Sequence, residues 1–251
     1  LNPLGEDFSS MRTTLLPNMM EVIQRNSNRG VEGAKLYEAG SIFIPKDQPV
    51  TEEPVEKLKV CIGMYGTCDF FDLKGIIFAM LSRFGIKPVL EYVSDNPAFH
   101  PGRTAALLEN DDVIGIFGAA SPKVTDNYGL DHRVYLAEMD IEKILQYKNT
   151  EWKYEPLPKY PAMVRDIAVI VKDDVLAGDM EEEIKKVNPY LIESVELFDV
   201  YKGEHIKEGY KSTAFSVTYR NKDRTMKEKE VEKIHEKILE VLSQKFKAVL
   251  R

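Results

Sequence analysis

The stretch ELFDVYKGEHIKEGYKSTAFSVTY, residues 196–219, contains two alternating segments separated by a polar loop. Because side chains alternate between the two faces of a strand, the segments predict two strands with one apolar face. The apolar face would carry Phe198, Val200, Phe215, Val217 and Tyr219. The opposite face would carry Asp199, Tyr201, Ser212, Ser216 and Thr218. Such a sheet buries one side and keeps an aromatic ring and hydrogen-bonding groups on the other.

Around this stretch, the second half of the chain alternates strands and helices in the order βαββαβ. The strands are predicted at 165–172, 194–201, 211–220 and 247–251. The two helices follow capping-box patterns at Asp179–Glu182 and Thr225–Glu228. This order is typical of the ferredoxin-like fold, in which right-handed crossovers place both helices on one face of the sheet. The other face is expected to stay open.

An open, polar face with one aromatic ring is compatible with more than one function. Single-stranded RNA stacks its bases on platforms of this kind. Many ferredoxin-like domains instead dimerise or bind a small metabolite there, so a regulatory or scaffolding protein is the alternative. Phosphate contact is favoured by the basic residues that surround the loop and follow the third strand, namely Lys202, Lys207, Lys211, Arg220, Lys222, Arg224, Lys227 and Lys229.

Composition limits where a polyanion could bind. The 251 residues have a formal net charge of −7, whereas residues 157–251 hold 18 basic and 18 acidic residues. Contact with a nucleic acid is therefore expected to be local and in the second half. Cys61 and Cys68 do not have a zinc-site spacing and are predicted to be reduced, as in the cytoplasm. The sequence starts at Leu1 in the middle of a pattern, which predicts a piece of a longer protein.

The proline-rich segment KNTEWKYEPLPKYP, residues 148–161, predicts a domain boundary. We place the domains at 1–155 and 156–251. Before the boundary, a helix at 17–28 precedes a series of strands with further helices at 71–85 and after residue 139. This part is predicted to be a mostly antiparallel sheet with a few helices, and the whole chain to be α+β.

Known catalytic and metal-binding patterns do not occur in the sequence. His100 and Arg103 in FHPGRTA could form a catalytic pair, but Pro101-Gly102 predicts a turn before a strand there. No phosphate loop, dinucleotide fingerprint or nucleophile elbow is found. We therefore predict no catalytic residue, no metal ligand and no cofactor in this chain.

Nine blocks carry a resemblance, namely SSMRTTLLPNMMEVIQRNSNR, LYEAGSIF, FDLKGII, FHPGRTA, IGIFG, YPAMVRDIAVIV, ESVELFDVYKGE, KSTAFSVTYR and EKILEVL. In this order they resemble the C-terminal part of the β chain of bacterial phenylalanyl-tRNA synthetase, over essentially the whole chain. The resemblance implies a class II synthetase catalytic-like domain without activity, followed by a ferredoxin-fold anticodon-binding domain. It also implies an α-chain partner in an α2β2 heterotetramer, and tRNA for phenylalanine.

The resemblance also implies where ATP chemistry is absent. Class II synthetases bind ATP with an Arg-x-Glu strand and a late glycine-rich segment that ends in arginine. In LYEAGSIF, Glu38 is present but Leu36 stands at the arginine position. The late segment YLAEMDIEKIL, residues 135–145, has neither the glycines nor the arginine. ATP and Mg²⁺ are therefore expected for the whole enzyme, at the α chain.

The family's anticodon contacts come from the open sheet face. They match Asp199, Tyr201 and Ser212 here, the residues that alternation places on that face. Tyr201 would stack on an anticodon base, while Asp199 and Ser212 would bond to base edges. Lys202, Lys211 and Arg220 are predicted to contact phosphates.

Overall fold

The structure is a computed structural model that describes residues 10–149, 151, 154 and 156–251. The chain divides into two units, Leu1–Trp152 and Lys153–Arg251. The boundary predicted between residues 155 and 156 lies partly outside the described residues and stays a prediction. None of the helices in the described residues is long and apolar enough to cross a membrane.

The first unit is an antiparallel sheet with helices. Its elements are α1 Leu16–Ser27, β1 Ala34–Ile44, β2 Val55–Tyr65, α2 Phe70–Ser82, β3 Val89–Tyr92, β4 Phe99–Glu109, β5 Asp112–Ala120, α3 Pro122–Asn127, β6 Val134–Asp140 and α4 Ile141–Tyr147. The six strands are ordered β1-β2-β6-β5-β4-β3, and all neighbours are antiparallel. This confirms the predicted α+β class. Helix α3, capped by Ser121, was not predicted.

Helices α1 and α2 pack on opposite faces of this sheet. The buried Met19, Met20 and Ile23 of α1 join a cluster with Cys61, whereas α2 packs on the face of Ile62. The helical pattern at 17–28 contains Met19, Val22 and Ile23 and predicts that all three face inward, but Val22 is exposed.

Helix α1 lacks a side-chain cap from its own first residue. Glu138 of β6 supplies the acceptor instead: its carboxylate accepts hydrogen bonds from the Leu15 backbone N–H at 2.6 Å and the Thr14 hydroxyl at 2.7 Å. An anionic acceptor at the amino end of a helix satisfies free N–H groups and interacts favourably with the helix dipole. The start of α1 is therefore fixed by a distant strand.

The segment FHPGRTA is part of β4, so the turn predicted at Pro101-Gly102 is wrong. The pairing of β4 with β5 shifts between Phe99 and Thr104, which places the proline and glycine in a bulge. His100 has a structural role here, because its Nδ1 accepts a hydrogen bond from the Gly102 backbone N–H at 3.0 Å. The hairpin turn between β4 and β5 lies at Asn110 and Asp111, both with positive φ, where the polar sequence NDD predicts it.

The second unit has the predicted βαββαβ order. Its elements are β7 Met163–Lys172, α5 Ala177–Val187, β8 Ile192–Tyr201, β9 Tyr210–Tyr219, α6 Glu228–Phe246 and β10 Val249–Leu250. The four strands are ordered β10-β7-β9-β8, so β9 is central and β8 is an edge. Buried residues of α5 and α6 pack in one cluster with one face of the sheet. The ferredoxin-like arrangement is therefore confirmed.

Neither predicted capping box of this unit forms as predicted: that of α5 is absent, and that of α6 is displaced. Helix α5 begins at Ala177, two residues before Asp179, and no side chain caps it. At α6, Glu230 rather than Glu228 reaches back, accepting from the Lys227 backbone N–H at 2.9 Å. The pattern identified the helices correctly but placed their first turns wrongly.

We expect the stability of this unit to depend on pH through His235, a half-buried residue of α6. Its Nδ1 lies 3.2 Å from the Tyr219 hydroxyl, and burial first, then the nearby Arg165, lower the pKa of His235. Between that lowered pKa and the ordinary value of about 6.5, the unfolded chain binds more protons than the folded one. We therefore expect the free energy of unfolding to fall as pH decreases below about 6.5.

Urea denaturation at pH 7 and pH 5.5 measures this effect. A His235→Gln variant, which retains a hydrogen-bonding side chain, should lose less stability between the two values than the native chain. Equal losses in both proteins would show that His235 does not cause the dependence.

Candidate nucleic-acid interface

The strand register decides which side chains share a face of the second sheet. Tyr201 pairs with Ser212 and Asp199 with Ala214. On the other side of β9, Ser212 pairs with Ile170 and Ala214 with Ala168. Directly paired residues point to the same face. Asp199, Tyr201 and Ser212 therefore lie on one face, opposite the buried Phe215 and Val217, as alternation predicted.

Tyr201 keeps part of its ring exposed at the end of β8. Its relative exposure is 36%. The guanidinium carbon of Arg251 lies 5.4 Å from the ring centroid, in a cation–π contact. The backbone of Gly203 lies so close that a Cβ at this position would overlap the Tyr201 hydroxyl. The ring is therefore held between a cation and a glycine, and part of it faces solvent.

Ser212 lies on the predicted face but is only 2% exposed. Arg251 partly accounts for this, because its Nη1 lies 3.4 Å from the Ser212 Oγ. The Arg251 backbone N–H donates to the Ala168 carbonyl at 3.0 Å, so the Arg251 side chain extends from the end of β10 across the open face. A hydroxyl covered in this way reaches a base edge only when the arginine side chain moves. Sequence reasoning did not assign Arg251 to the open face. The signal was present, because Arg251 follows Val249 by two positions in KAVLR and alternation places both on the same face of the sheet.

Asp199 is the most accessible of the three predicted base-contacting residues. It is exposed and forms no hydrogen bond or ion pair with the part of the chain that the structure describes. Its carboxylate is therefore available to accept from a base amino or imino group. The pair of Asp199 and Tyr201 is the accessible part of the predicted site.

The prediction for the apolar face of β8 is wrong at Phe198. The β8–β9 register shifts between Leu197 and Asp199, so Leu197 lies opposite Phe215 and Phe198 occupies a β-bulge. Phe198 is 58% exposed. Val200 lies opposite Thr213 on the helix side, as predicted, but is 47% exposed because β8 is an edge strand.

Two of the three predicted phosphate contacts, Lys202 and Lys211, meet at Asp173. Lys202 Nζ lies 3.0 Å from the Asp173 carboxylate, and Lys211 Nζ donates to the Asp173 carbonyl at 2.9 Å. Burial first, and then the neighbouring ammonium of Lys202, lower the pKa of Lys211. The Lys202 side chain stays mostly exposed, so a phosphate can still approach it.

Arg220, the third predicted phosphate contact, is already engaged within the chain. Its Nε donates to both carboxylate oxygens of Glu193 at 2.9 Å, and its Nη1 donates to the Tyr160 carbonyl at 2.6 Å. Its charge is therefore compensated by a carboxylate. Of the three basic residues, Arg220 has the least capacity left for a phosphate.

Tyr210 is a second aromatic residue on the open face, and sequence reasoning missed it. The strand β9 begins one residue earlier than predicted, at Tyr210, which pairs with Lys172 of β7. Tyr210 precedes Ser212 by two positions and so shares its face. The Lys207 Nζ lies 5.7 Å from the Tyr210 ring centroid. The alternation of β9 could have identified Tyr210, because it lies two positions before Ser212.

In the first unit, the positions that correspond to an ATP site are occupied by the chain's own contacts. Glu38 is bound by Arg12, whose Nη1 lies 2.6 Å from the carboxylate. Leu36 packs against the core cluster under α1. The late segment 135–145 is strand β6 and helix α4, with no glycine. These residues do not fit a triphosphate, because they offer it neither a free cation nor a glycine-rich backbone.

Two family models match the chain. The model for the phenylalanyl tRNA synthetase beta chain CLM domain matches residues 1–141. The model for the ferredoxin-fold anticodon binding domain matches residues 158–251, which contain the open face.

Curated relatives match over the full chain. The phenylalanine–tRNA ligase beta subunits of Clostridium acetobutylicum and Clostridium tetani are 42% and 44% identical over 252 aligned positions, covering 100% of this chain and 32% of each relative. The chain thus spans about a third of their length. Among solved structures, pyrrolysyl tRNA synthetase of Desulfitobacterium hafniense aligns with 54% of this chain and 49% of its own, at 14% identity and a TM-score of 0.45.

Proposed function

The chain belongs to the phenylalanyl-tRNA synthetase beta-chain family, and from this we propose that it is a non-catalytic part of phenylalanine–tRNA ligase. In this proposal, its second unit binds the anticodon of the tRNA and its first unit pairs with the α chain. The whole enzyme charges tRNA with phenylalanine at the expense of ATP, in the cytoplasm, as an α2β2 heterotetramer.

The observation that carries the anticodon proposal is the accessible pair on the open face. Asp199 and Tyr201 alternate on β8, so the ring and the carboxylate point to the same side, away from α5 and α6. A base that stacks on Tyr201 is within reach of a neighbouring acceptor, and stacking alone contributes about 1–3 kcal/mol per base. Lys202, beside Tyr201, supplies a phosphate contact. Ser212 joins the contact once Arg251 has turned away.

The proposal places catalysis outside this chain. Because Leu36, the Arg12–Glu38 pair and the glycine-free segment 135–145 do not fit ATP, nucleotide and Mg²⁺ would bind at the α chain. Pairing with that chain is supported by large exposed apolar side chains of the first unit, such as Tyr37, which is 80% exposed on the edge strand β1. A contiguous apolar patch is typical of faces that a partner covers, and in this proposal Tyr37 is one residue of such a face.

Co-expression with the α chain of a phenylalanine–tRNA ligase tests the function. We expect the two chains to co-purify, and the complex to bind a stem-loop with a phenylalanine anticodon more tightly than one with a scrambled loop. This chain alone should show no ATP–pyrophosphate exchange. Absence of co-purification together with equal affinity for the two loops would contradict the proposal. Calorimetric binding of a free amino acid without RNA binding would favour the regulatory alternative.

A further inference from the structure

The two tyrosines of the open face are diagonal neighbours. Tyr201 of β8 lies directly opposite Ser212 of β9, and Tyr210 precedes Ser212 by two residues on the same face. Diagonal positions of this kind are about 7–8 Å apart in an antiparallel pair, which is within reach of aromatic side chains. The face therefore presents two adjacent rings rather than one.

The cations near Tyr210 differ from those tied to Asp173. Lys172 is exposed and pairs with Tyr210 across β7 and β9, while Lys207 places its ammonium over the ring. Neither lysine takes part in an ion pair within the described residues, whereas Lys202 is paired with Asp173. Tyr210 is thus paired with one lysine across the strands and has the ammonium of another over its ring, and neither lysine belongs to an ion pair among the described residues.

We propose that Tyr210 is a second base-stacking position, which binds the nucleotide next to the one on Tyr201, with Lys172 and Lys207 at its phosphate. The inference rests on the proposed function, which it deepens from one stacked base to two. Sheet platforms that bind single-stranded RNA use two aromatic side chains in this way, one for each successive base. Lys207 is flexible, so its ammonium leaves the ring for the phosphate when a base takes its place.

The experiment uses the full chain and anticodon stem-loops that carry 2-aminopurine at one loop position at a time. Stacking on a tyrosine quenches the fluorescence of this base analogue. We expect two adjacent loop positions to be quenched. Tyr210→Leu, which keeps an apolar side chain, should release the quenching at one of them and weaken binding about 5- to 150-fold. Tyr210→Phe should behave as the native chain, because the ring is retained.

The phosphate contacts are read from the salt dependence of the same affinity. Lys172→Ala and Lys207→Ala should each lower the slope of log affinity against log salt by about 1. Tyr190→Ala is the matched control, since Tyr190 is exposed but lies outside the strands, bonded to Asp223. It should leave both the quenching and the slope unchanged.

The outcomes separate this inference from the function on which it rests. If Tyr201→Ala abolishes the quenching while Tyr210→Leu binds as the native chain does, the second position is overturned and the proposed function stands. If Tyr210→Phe loses as much affinity as Tyr210→Leu, the ring does not stack and the inference is also overturned. If the native chain quenches no loop position, both the stacking on Tyr210 and the proposed stacking of an anticodon base on Tyr201 are contradicted.

Discussion

Tyr201→Ala is expected to weaken binding of the anticodon stem-loop by about 1–3 kcal/mol, or roughly 5- to 150-fold. The ring is the aromatic surface at the predicted base contact, and it is accessible beside an exposed carboxylate. Alanine removes that surface and leaves the Arg251 guanidinium without its aromatic partner. Because stacking uses the π face of a base, the loss should affect many loop sequences and not a single base type.

Fluorescence anisotropy of a labelled stem-loop, at fixed salt, measures this affinity. Tyr201→Phe keeps the ring and should retain most of the binding, while Tyr190→Ala should retain all of it. Thermal unfolding of each variant shows that the fold is intact, which matters because Tyr201 contacts Gly203. An unchanged affinity in folded Tyr201→Ala would exclude the ring as a contact.

Phe215→Ala is expected to lower the free energy of unfolding of the second unit by about 3–5 kcal/mol. Phe215 has no exposed surface and lies on the central strand β9, in the cluster that α5 and α6 cover. Truncation removes the buried ring and leaves a cavity that rigid neighbours on both sides fill poorly. A loss of this size is a large fraction of the stability of a small domain.

Phe198→Ala is the matched comparison, because strict alternation assigns both phenylalanines to the same buried face. The bulge exposes Phe198, so its truncation should cost no more than about 0.5–1 kcal/mol. Urea denaturation of the full chain followed by circular dichroism, with hydrogen exchange of the β9 amides, measures both variants. Equal losses of unfolding free energy in the two variants would show that Phe198 is as buried as Phe215 and that β8 has no bulge there.

The fold of the second unit could be predicted because its signals are local and repeated. Period-two patterns predicted the strands, and the patterns at Asp179–Glu182 and Thr225–Glu228 predicted the two helices, which bury Met180, Ile184, Val231 and Ile238. The order of elements and the handedness rule then fixed which face is covered. What failed were single positions. A bulge inserts one residue and reverses the alternation locally. The sequence LFDVY contains no feature that predicts the bulge at Phe198.

The first turns of α5 and α6 were wrongly placed for a different reason, and the cap of α1 was not predicted at all. A capping box is a short pattern that also occurs by chance in acidic segments, and in α6 the acceptor was the next available carboxylate, Glu230. For α1, the acceptor is Glu138, which is more than 100 residues away in sequence. Such a contact exists only after the sheet has formed, so local reasoning does not find it.

In the candidate site, too, features set within one strand were predicted and contacts between strands were not. Alternation found the face of Asp199 and Tyr201, since facing depends on neighbours in the same strand. It did not find that Arg251 covers Ser212, or that Glu193 binds Arg220, because both contacts depend on the order of the strands in the sheet. Side chains that act alone were predictable, and side chains that act through a partner from another strand were not.

The close approach of the Gly203 backbone to the Tyr201 hydroxyl has an energetic consequence for any stacked ligand. A freely rotating side chain that a ligand immobilises loses entropy equivalent to about 0.5–1.5 kcal/mol. Here the Gly203 backbone lies against the Tyr201 hydroxyl, so that a side chain at position 203 would overlap it. We therefore expect a base that stacks on Tyr201 to lose less affinity to ordering of the ring than it would on a tyrosine with open space around it.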